Sequence, residues 1–305
     1  MGDATADGTT DGTAASVTGR IGVTGVTGAV GGAVARRLAD LGDRLVLLAR
    51  RPDAAPSVPG AEIRPVDYAD TPEVRAALSG IDTLLMVSAA EDVDRLGQHR
   101  AFVDAAAAAG VRHVVYTSFQ GAAADCTFTL GRDHWATEEA LRASGMAYTF
   151  LRDSFYADFL PLMVTDGAIR GPAGDGRVAA VAREDVAAVA TVVLSDPASH
   201  AGATYDLTGP EALTLTEAAA LITEVTGTPT RYVDETLAEA HASRASYGAP
   251  DWQVDAWVST YTAIARGEVE QVSGAVERLT GRPATSLREL LVRATAGPGQ
   301  DTGSR

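Results

Sequence analysis

The sequence predicts an α/β protein with a doubly wound parallel sheet, and two features of its 305 residues point to that fold class. Short apolar runs alternate with amphipathic segments, which is typical of parallel strands joined by crossover helices. Some of these runs, such as Leu45–Ala49, are apolar at every position, as strands buried on both faces are. Right-handed crossovers then place helices on both faces of the sheet.

The predicted elements follow one another closely in the first half of the chain. A strand at residues 21–24 leads into a helix at 29–41, where Val30, Val34 and Leu38 recur at helical spacing and Gly42 ends the helix. Further strands are predicted at residues 45–49, 61–66, 83–87, 111–117 and 148–151. The helices between them are predicted at residues 71–78, 91–109 and 134–144.

The alternation loosens after residue 153. Helices are predicted at residues 183–194, 213–226, 237–246, 252–265 and 287–294, with strands at 204–207 and 231–234. They indicate a small, mostly helical C-terminal cap interleaved with the main sheet. We therefore predict a core domain at residues 20–153 and an interleaved core extension with the cap at 154–295. The tails at residues 1–19 and 296–305 are predicted to be disordered.

Charge and residue types exclude several functions. The formal net charge of −15 disfavours binding to the phosphate backbone of nucleic acids. No apolar run approaches the roughly 20 residues that span a bilayer, so no membrane segment is predicted. All 25 basic residues are arginine, which excludes lysine chemistry such as a Schiff base. No metal-ligand spacing is present, so no metal site is predicted. The lone Cys126 allows no intrachain disulfide, which fits a reducing cytoplasm. The chain is expected to be a monomer or homodimer.

A glycine motif at the end of the first strand predicts a dinucleotide site. Gly25, Gly28 and Gly31 give the spacing G-x-x-G-x-x-G between a strand and a helix. Glycine at these places allows a tight turn, a close approach to a pyrophosphate, and close packing of the helix on the sheet. The helix N-terminus then offers free N–H groups to the phosphates. The residues predicted to bind the cofactor here are Thr24, Gly25, Thr27, Gly28, Ala29, Val30 and Gly31.

The end of the second strand indicates which dinucleotide binds. Arg50 and Arg51 stand where NAD-binding proteins usually carry an acidic residue. Two guanidinium groups suit the 2′-phosphate of NADP(H), although a solvated surface pair is the alternative. Asp67 is predicted to accept the adenine amino group or, alternatively, to cap the third strand. The other cofactor residues predicted at strand ends are Tyr68, Val87, Ser88, Ala89, Thr117, Ser118, Arg152, Asp153, Ser154 and Tyr156.

A resemblance to a known family is carried, in this order, by the stretches TGVTGAVG, LLARRP, VDYAD, HVVYTS, HWATEEAL and YTFLRDSFYADF. The chain resembles the NmrA-like, atypical short-chain dehydrogenases/reductases, and among them the bacterial NADPH-dependent quinone reductases and triphenylmethane-dye reductases. The resemblance implies a Rossmann-like NADP-binding core, a substrate-binding cap, NADP(H) between them, and hydride transfer to a quinone or dye. Some relatives bind the dinucleotide without known catalysis, so a redox sensor or regulator is the alternative. Family members usually carry Asn where this chain has Asp153.

The absence of lysine restricts the types of acceptor that the chain is expected to reduce. Short-chain dehydrogenases with a full catalytic set use a Tyr-x-x-x-Lys pair, which this chain cannot form. A quinone or a similar conjugated aromatic acceptor needs no such pair, because it is strongly electrophilic and the nicotinamide supplies the reaction. The predicted catalytic residues are His134 as a proton or oxyanion donor, Tyr156 as a hydrogen-bond donor to a quinone oxygen, and Ser118 at the position of the family's serine. The alternatives are a helical pair of His134 with Glu138 and a packed aromatic role for Tyr156.

Aromatic residues are predicted to form the wall of a substrate pocket. They are Phe119, Phe155 and Phe159, with Leu160 and Met163 beside them and, from the cap, Trp252 and Trp257. Ordinary core packing is the alternative for each of them. An open pocket of this kind favours the reductase, whereas a sensor tolerates a pocket that its own side chains fill.

Overall fold

A seven-stranded parallel sheet forms the centre of the protein. The computed structural model describes residues 19–296, and the fold class predicted from the sequence is confirmed. Apart from Gly19 and Ala296, the predicted disordered tails lie outside the described residues. The strands are β1 (Ile21–Val23), β2 (Leu45–Ala49), β3 (Glu62–Pro65), β4 (Thr83–Met86), β5 (His113–Phe119), β6 (Ala147–Asp153), β7 (Ala168–Gly171), β8 (Arg177–Val178), β9 (Thr204–Leu207), β10 (Leu213–Thr214) and β11 (Arg231–Asp234). The main sheet has the order β3-β2-β1-β4-β5-β6-β9.

The helices of the described residues join or cover these strands. They are α1 (Ala29–Arg37), α2 (Pro72–Leu78), α3 (Arg95–Ala108), α4 (Thr129–Ala143), α5 (Arg183–Ser195), α6 (Leu215–Thr226), α7 (Leu237–Arg244), α8 (Asp251–Ala265), α9 (Ala275–Thr280) and α10 (Leu287–Ala296). Short 3-10 turns lie at Ala39–Arg44, Pro52–Ala54, Ala157–Phe159, Pro161–Met163, Pro197–His200 and Ala245–Tyr247. Between residues 19 and 296, no helix is both long and apolar enough to cross a membrane.

Two apolar layers enclose the sheet, because alternate side chains of a strand point to opposite faces. All five residues of β2 are buried. Leu45 and Leu47 belong to one apolar cluster, whereas Val46 and Leu48 belong to the other. Helices α1, α5 and α9 cover the first face, and α2, α3 and α4 cover the second. The main sheet is therefore doubly wound, as its continuous apolar runs predict.

The strand order reverses between β1 and β4, and this reversal positions the site. The chain runs outward from β1 through β2 to β3, and it then returns to form β4 on the other side of β1. The loops that follow β1 and β4 consequently diverge at the carboxyl edge of the sheet and leave a crevice. Ligands of doubly wound folds bind at such a point.

The cap is built from segments that follow β6. Strand β7 pairs in parallel with β11, and β8 pairs antiparallel with β10, so two small sheets stand apart from the main one. They share an apolar cluster with α6, α8 and α10, whose members include Ile169, Leu215, Tyr261 and Leu291. In the same half of the chain, β9 extends the main sheet beside β6. The division at residue 153 stays a prediction. Strands β7, β8 and β10 are not among the elements predicted from the sequence.

Two helices of the first half are shorter than predicted. Helix α1 ends at Arg37, and a 3-10 turn replaces the remainder up to Gly42, whose φ of +55° prevents continuation. Helix α3 begins at Arg95 rather than at residue 91. The residues before it form a turn in which the Asp94 N–H donates to the Asp92 Oδ1 at 2.8 Å, and the Glu91 carboxylate accepts a hydrogen bond from the Trp257 indole of the cap at 3.1 Å.

Other elements extend beyond their predicted bounds. Helix α4 begins at Thr129 rather than at residue 134, and its first turn contains Gly131. A Cβ at Gly131 would lie 2.8 Å from the Cys126 Sγ, so this glycine serves close packing rather than a turn. Strands β5 and β6 continue to Phe119 and Asp153. Both residues are therefore held at the carboxyl edge of the sheet.

Candidate functional site

Two adjoining cavities occupy the carboxyl edge of the sheet. The sheet cavity, of about 390 Å³, lies over the ends of β1, β2 and β4. The cap cavity, of about 860 Å³, lies between the ends of β5 and β6 and the cap. Ser88 and Glu91, in the loop after β4, line both cavities. A ligand that passes this loop would reach from one cavity into the other.

The glycine loop after β1 borders the sheet cavity. Gly25 has a φ of +63°, which favours glycine, and it turns the chain off the strand. A Cβ at Gly31 would lie 2.5 Å from the carbonyl oxygens of Thr24 and Gly25. Gly28 is exposed, and a Cβ there would meet only the Gly25 oxygen, at 3.3 Å. No side chain caps α1, so its first N–H groups are available to an anion.

Two arginines and a carboxylate also line the sheet cavity. Arg50 and Arg51 follow β2, Asp67 follows β3, and all three side chains are exposed. None of them has a hydrogen bond or an ion pair with another residue of the described chain. The two free guanidinium groups suit a phosphate, through charge-assisted hydrogen bonds. Thr27 lines this cavity as well, whereas Ala29, Val30 and Gly31 lie behind it.

Thr24 and Tyr68 line the sheet cavity, and their hydrogen bonds hold together the strand ends beneath it. The Thr24 Oγ1 accepts a hydrogen bond from the Val87 N–H at 2.9 Å and lies 2.8 Å from the Tyr68 hydroxyl. The Tyr68 hydroxyl donates to the Val87 carbonyl, and its ring stacks on Phe102 with centroids 4.3 Å apart. Burial raises the pKa of Tyr68, so the phenol stays protonated. These bonds join the ends of β1, β3 and β4.

The loop between the two cavities is held by side chains that the sequence analysis does not single out. The Ala89 N–H donates to the His99 Nε2 at 2.9 Å, and the Arg95 Nε donates to the Ala89 carbonyl at 3.0 Å. Burial lowers the pKa of His99 to about 3, so the ring stays neutral and Nε2 remains an acceptor. The Ser88 N–H donates to the Thr117 Oγ1 at 2.8 Å, so Thr117 supports this loop and lines neither cavity. The N–H and the carbonyl group of Ala89 are therefore both held by hydrogen bonds.

His134 lines the cap cavity, but both of its ring nitrogens have partners. Nδ1 lies 2.9 Å from the Tyr116 hydroxyl, and Nε2 lies 3.1 Å from an Arg95 guanidinium nitrogen. A guanidinium only donates, so Nε2 accepts and the proton is on Nδ1. Burial, together with Arg95, lowers the pKa of His134 well below its ordinary value. The geometry therefore argues against the predicted role as a proton donor, and it contradicts the alternative pair with Glu138.

Glu138 is fully buried and forms the centre of an ionic network behind β5 and β6. Its carboxylate accepts hydrogen bonds from the Ser118 hydroxyl at 2.6 Å and from two Arg152 nitrogens at 2.8 and 2.7 Å. The Arg152 guanidinium is therefore directed at Glu138 and lines neither cavity, unlike its predicted place beside the cofactor. Ser118 does line the cap cavity. Because its proton is donated to Glu138, it offers a substrate only its lone pairs.

Asp153, Ser154 and Tyr156 line the cap cavity at the end of β6. The Tyr156 hydroxyl donates to the Asp153 Oδ2 at 2.9 Å. Burial raises the pKa of Asp153 well above its ordinary value, and burial together with Asp153 raises that of Tyr156. The Asp153 Oδ1 and the Ser154 hydroxyl are buried without a hydrogen-bond partner in residues 19–296. Buried polar atoms are normally paired, so a polar group of a bound ligand fits this place.

The raised pKa of Asp153 predicts that the free energy of unfolding depends on pH, which can be tested. Burial raises the pKa of the native Asp153 carboxyl above that of the unfolded chain, which is about 3.9. Unfolding therefore releases a proton at pH values between the two, and Asp153 lowers the free energy of unfolding increasingly as pH rises through that range. We expect the free energy of unfolding of Asp153→Asn, relative to the parent chain, to increase by about 1 kcal/mol or more between about pH 5 and pH 8. Urea unfolding at the two pH values measures it.

The control for this prediction is Asp40→Asn, at an exposed position at the end of α1. It should change the free energy of unfolding by less than about 0.5 kcal/mol at either pH. An equal effect of Asp153→Asn at both pH values would show that the native carboxyl is ionised throughout.

The cap cavity has an apolar wall of aromatic rings and one face of α8. Phe119, Phe155 and Phe159 line it, where the sequence analysis places them, and the rings of Phe119 and Phe155 are 4.9 Å apart. Trp252 is not among the lining residues. Trp257, the other tryptophan predicted from the cap, does line it, as do Leu160 and Met163. The α8 face consists of Ala256, Trp257, Thr260, Tyr261 and Ile264, which recur at helical spacing.

Four charged residues that line this cavity are not predicted from the sequence, namely Glu91, Asp166, Arg170 and Arg244. Glu91 accepts hydrogen bonds from the Gln253 amide at 2.7 Å and from the Trp257 indole, so it joins the loop after β4 to the cap. Arg170 lies in β7 and lines the cap cavity. The Asp166-Gly167 turn before β7 is the sequence signal that indicates this strand. Within residues 19–296, no cluster of three or more His, Cys, Asp or Glu side chains is placed to hold a metal ion.

A doubly wound sheet with a glycine loop, free arginines and an adjoining apolar cavity defines a dinucleotide-binding protein with a second ligand site. Residues 25–197 match the model of a family described as NAD(P)H-binding. The match spans more than half of the chain, and the chain therefore belongs to this NAD(P)H-binding family.

Relatives of known activity share almost the whole chain. Quinone oxidoreductase 2 of Escherichia coli is 34% identical over 88% of this chain and 96% of that protein. A crystal structure of the E. coli NADPH-dependent quinone oxidoreductase with NADPH has a TM-score of 0.83, covering 90% of this chain and 99% of that one. A (4-alkanoyl-5-oxo-2,5-dihydrofuran-3-yl)methyl phosphate reductase of Streptomyces griseus is 36% identical over 88% and 95% of the two chains.

A third relative is the triphenylmethane reductase of Citrobacter sp., whose crystal structure contains NADP(H). It is 31% identical, with a TM-score of 0.79 over 90% of this chain and 99% of that one. The resemblance stated from the sequence is thereby confirmed. The chain is an NAD(P)H-dependent oxidoreductase, and its cofactor is NADP(H).

Proposed function

We propose that this chain transfers a hydride from NADPH to a quinone or a similar conjugated electrophile, without a Tyr-x-x-x-Lys pair. The observation that supports this most is the open cap cavity of about 860 Å³, with its aromatic wall, which adjoins the sheet cavity at Ser88 and Glu91. A cavity of this size suits a drug-sized aromatic molecule. By their names, two of the relatives above reduce a quinone and a triphenylmethane dye.

The sheet cavity provides groups for each part of the cofactor. In this proposal the N–H groups after Gly28 hold the pyrophosphate, the Arg50 and Arg51 guanidiniums bind the 2′-phosphate, and Asp67 accepts the adenine amino group. The nicotinamide then lies beside Asp153 and Ser154, whose unpartnered buried atoms suit a polar group. When bound, NADPH supplies the hydride that the chain itself cannot.

The proton is supplied in this proposal by Asp153 and Tyr156. Reduction of a quinone to a hydroquinone consumes one hydride and one proton from solution in net terms. In this structure the Tyr156 hydroxyl donates to the Asp153 Oδ2. In the proposed step this hydroxyl turns to the acceptor oxygen and gives up its proton there, while Asp153, whose raised pKa favours its neutral form, passes its own proton to the Tyr156 oxygen. Asp153 is left ionised and regains a proton from solvent. His134 and Ser118 position neighbouring groups, since their hydrogen bonds are already made.

The proposed function is tested by following NADPH absorbance with a panel of acceptors. We expect turnover with 2-methyl-1,4-naphthoquinone and other small quinones at a rate at least about tenfold above that with cyclohexanone, which needs stronger acid catalysis. One NADPH should be consumed for each hydroquinone formed. NADPH binding without turnover of any acceptor would instead identify the dinucleotide-binding sensor or regulator.

We also propose that the chain works in the cytoplasm as a monomer or homodimer and does not bind nucleic acid. The net charge of −15 supports the last point, and the single Cys126, whose buried thiol has a raised pKa, supports a reducing compartment. Light scattering coupled to gel filtration gives the oligomeric state. A tetramer or larger assembly would contradict it.

A further inference from the structure

One cation in the cap cavity indicates the kind of acceptor that it takes. We propose that Arg170 binds an anionic substituent of the acceptor, such as a carboxylate, a sulfonate or a phosphate, at a point remote from the reacting ring. This inference rests on the proposed reductase function and specifies its substrate class. The acceptor is then an amphiphile, with a conjugated aromatic body and an acidic end.

The position of Arg170 follows from the alternation of β7. Ala168 and Arg170 line the cap cavity, whereas Ile169 between them is fully buried in the apolar cluster of the cap. Successive strand residues face opposite sides, so the Arg170 side chain faces the cavity. The small side chain of Ala168 leaves space beside it.

The Arg170 guanidinium is left without a partner by the protein. It makes no hydrogen bond or ion pair with any other residue in the described part of the chain. The neighbouring Arg244 is different, because it donates to the Glu235 carboxylate at 3.2 Å and to the Ala240 carbonyl at 2.8 Å. The chain has 40 acidic and 25 basic residues. Carboxylates that could pair with an arginine are therefore abundant, and a shortage of them does not explain why Arg170 is unpaired. Its five donors remain available to a ligand.

The backbone that carries Arg170 is held in place. The Arg244 guanidinium donates to the Arg170 carbonyl at 2.8 Å, and it lies 5.0 Å from the centre of the Tyr261 ring. The same ring covers Gly171, where a Cβ would lie 2.3 Å from it. These contacts fix the strand from which the Arg170 side chain extends, so an anion that pairs with it is held at a defined side of the cavity.

No acidic group of the cavity pairs with the Arg170 guanidinium. The Glu91 carboxylate accepts hydrogen bonds from Gln253 and Trp257 instead. Burial raises the pKa of Asp153, which favours its neutral form. Asp166 lines the cavity from an exposed turn, and no hydrogen bond or ion pair joins it to Arg170 within residues 19–296. The Arg170 charge is therefore unpaired in a partly apolar cavity, where a charge pair with a ligand is strengthened.

The two sides of the cavity would contact different parts of the acceptor. The groups proposed for the reaction, Asp153 and Tyr156, belong to the edge of the main sheet, whereas Arg170 belongs to the cap. Aromatic rings such as Phe155 and Trp257 line the space as well. An acceptor with its conjugated ring against the sheet edge would consequently direct only a substituent toward Arg170.

Binding of two matched aromatic probes tests this inference without turnover. The enzyme saturated with NADP⁺ is titrated with 2-naphthoate and with 2-naphthamide, which share a ring system and differ in charge. We expect 2-naphthoate to bind more tightly, and Arg170→Gln to weaken it about tenfold or more while changing 2-naphthamide by less than about twofold. Arg231→Gln, an exposed arginine on the paired strand β11 and outside the cavity, should change neither.

Turnover separates failure of this inference from failure of the proposed function. With 2-methyl-1,4-naphthoquinone, a neutral acceptor, Arg170→Gln should keep kcat/KM within about threefold. With 1,4-naphthoquinone-2-sulfonate, kcat/KM should fall about tenfold or more. Equal losses for both acceptors, or equal binding of the two naphthyl probes by the parent enzyme, would overturn the anionic subsite. Absence of quinone turnover in the parent enzyme would overturn the reductase function instead.

Discussion

Replacing Arg50 and Arg51 together with alanine is expected to lower kcat/KM for NADPH by about 100-fold or more and to leave that for NADH within about threefold. Both guanidiniums line the sheet cavity without a described partner, so their removal costs the protein no internal bond. Each charge-assisted hydrogen bond to the 2′-phosphate contributes about 1.5–3 kcal/mol, whereas a 2′-hydroxyl gains little from a guanidinium. Initial rates with a fixed quinone and each dinucleotide varied give the two constants.

The matched control is Arg37→Ala, an exposed arginine in the last turn of α1, at the far end from the glycine loop. It should leave both constants unchanged within about twofold. Equal losses for NADPH and NADH would mean that the arginines act on a part that the two cofactors share. A parent enzyme that binds NADH more tightly than NADPH would contradict the assignment altogether.

Gly31→Ala is expected to lower the free energy of unfolding by about 1–3 kcal/mol and to raise the Kd for NADPH at least about tenfold. In an ordinary helix, alanine for glycine is stabilising by about 1 kcal/mol. Here the added Cβ would lie 2.5 Å from two backbone carbonyl oxygens, so α1 must move away from β1. That movement displaces the N–H groups at the start of the helix. Urea unfolding and titration of NADPH measure the two effects.

Two other glycines separate the effect on folding from the effect on binding. A Cβ at Gly28 would meet the protein only at 3.3 Å and would face the proposed phosphate site, so Gly28→Ala should weaken NADPH binding with little change in stability. A Cβ at Gly274 would have no atom within 4 Å, and Gly274→Ala should affect neither property. If Gly31→Ala is as stable as the parent chain, the close approach of α1 to β1 is not required.

The main sheet is predictable from the sequence because its strands are buried on both faces. A run such as Leu45–Ala49 has no polar position, and its pattern therefore indicates a central parallel strand without knowledge of its neighbours. The glycine loop is predictable for a similar local reason, since the backbones of Gly25 and Gly31 are in close contact although the two residues are near each other in sequence. These features depend on residues that are close in sequence.

The cap and much of the site depend on residues that are far apart in sequence. Glu91 is joined to Gln253 across 162 residues, and no local pattern indicates this bond. The sequence identifies His134 as a titratable residue, but not that Tyr116 and Arg95 occupy its two nitrogens. Arg170 is one of 25 arginines, and only the fold shows that it faces a cavity.

The composition of the chain has a consequence for its durability. Quinones are electrophiles that alkylate amines and thiolates, so an enzyme that reduces them risks inactivation by its own substrate. This chain has no lysine side chain to be alkylated. Its one cysteine, Cys126, is buried, donates its S–H to the Phe128 carbonyl, and has a pKa raised by burial, which keeps the reactive thiolate scarce. Arginine meanwhile supplies positive charge without a nucleophilic amine, so the two side-chain types that quinones alkylate most readily are absent or buried.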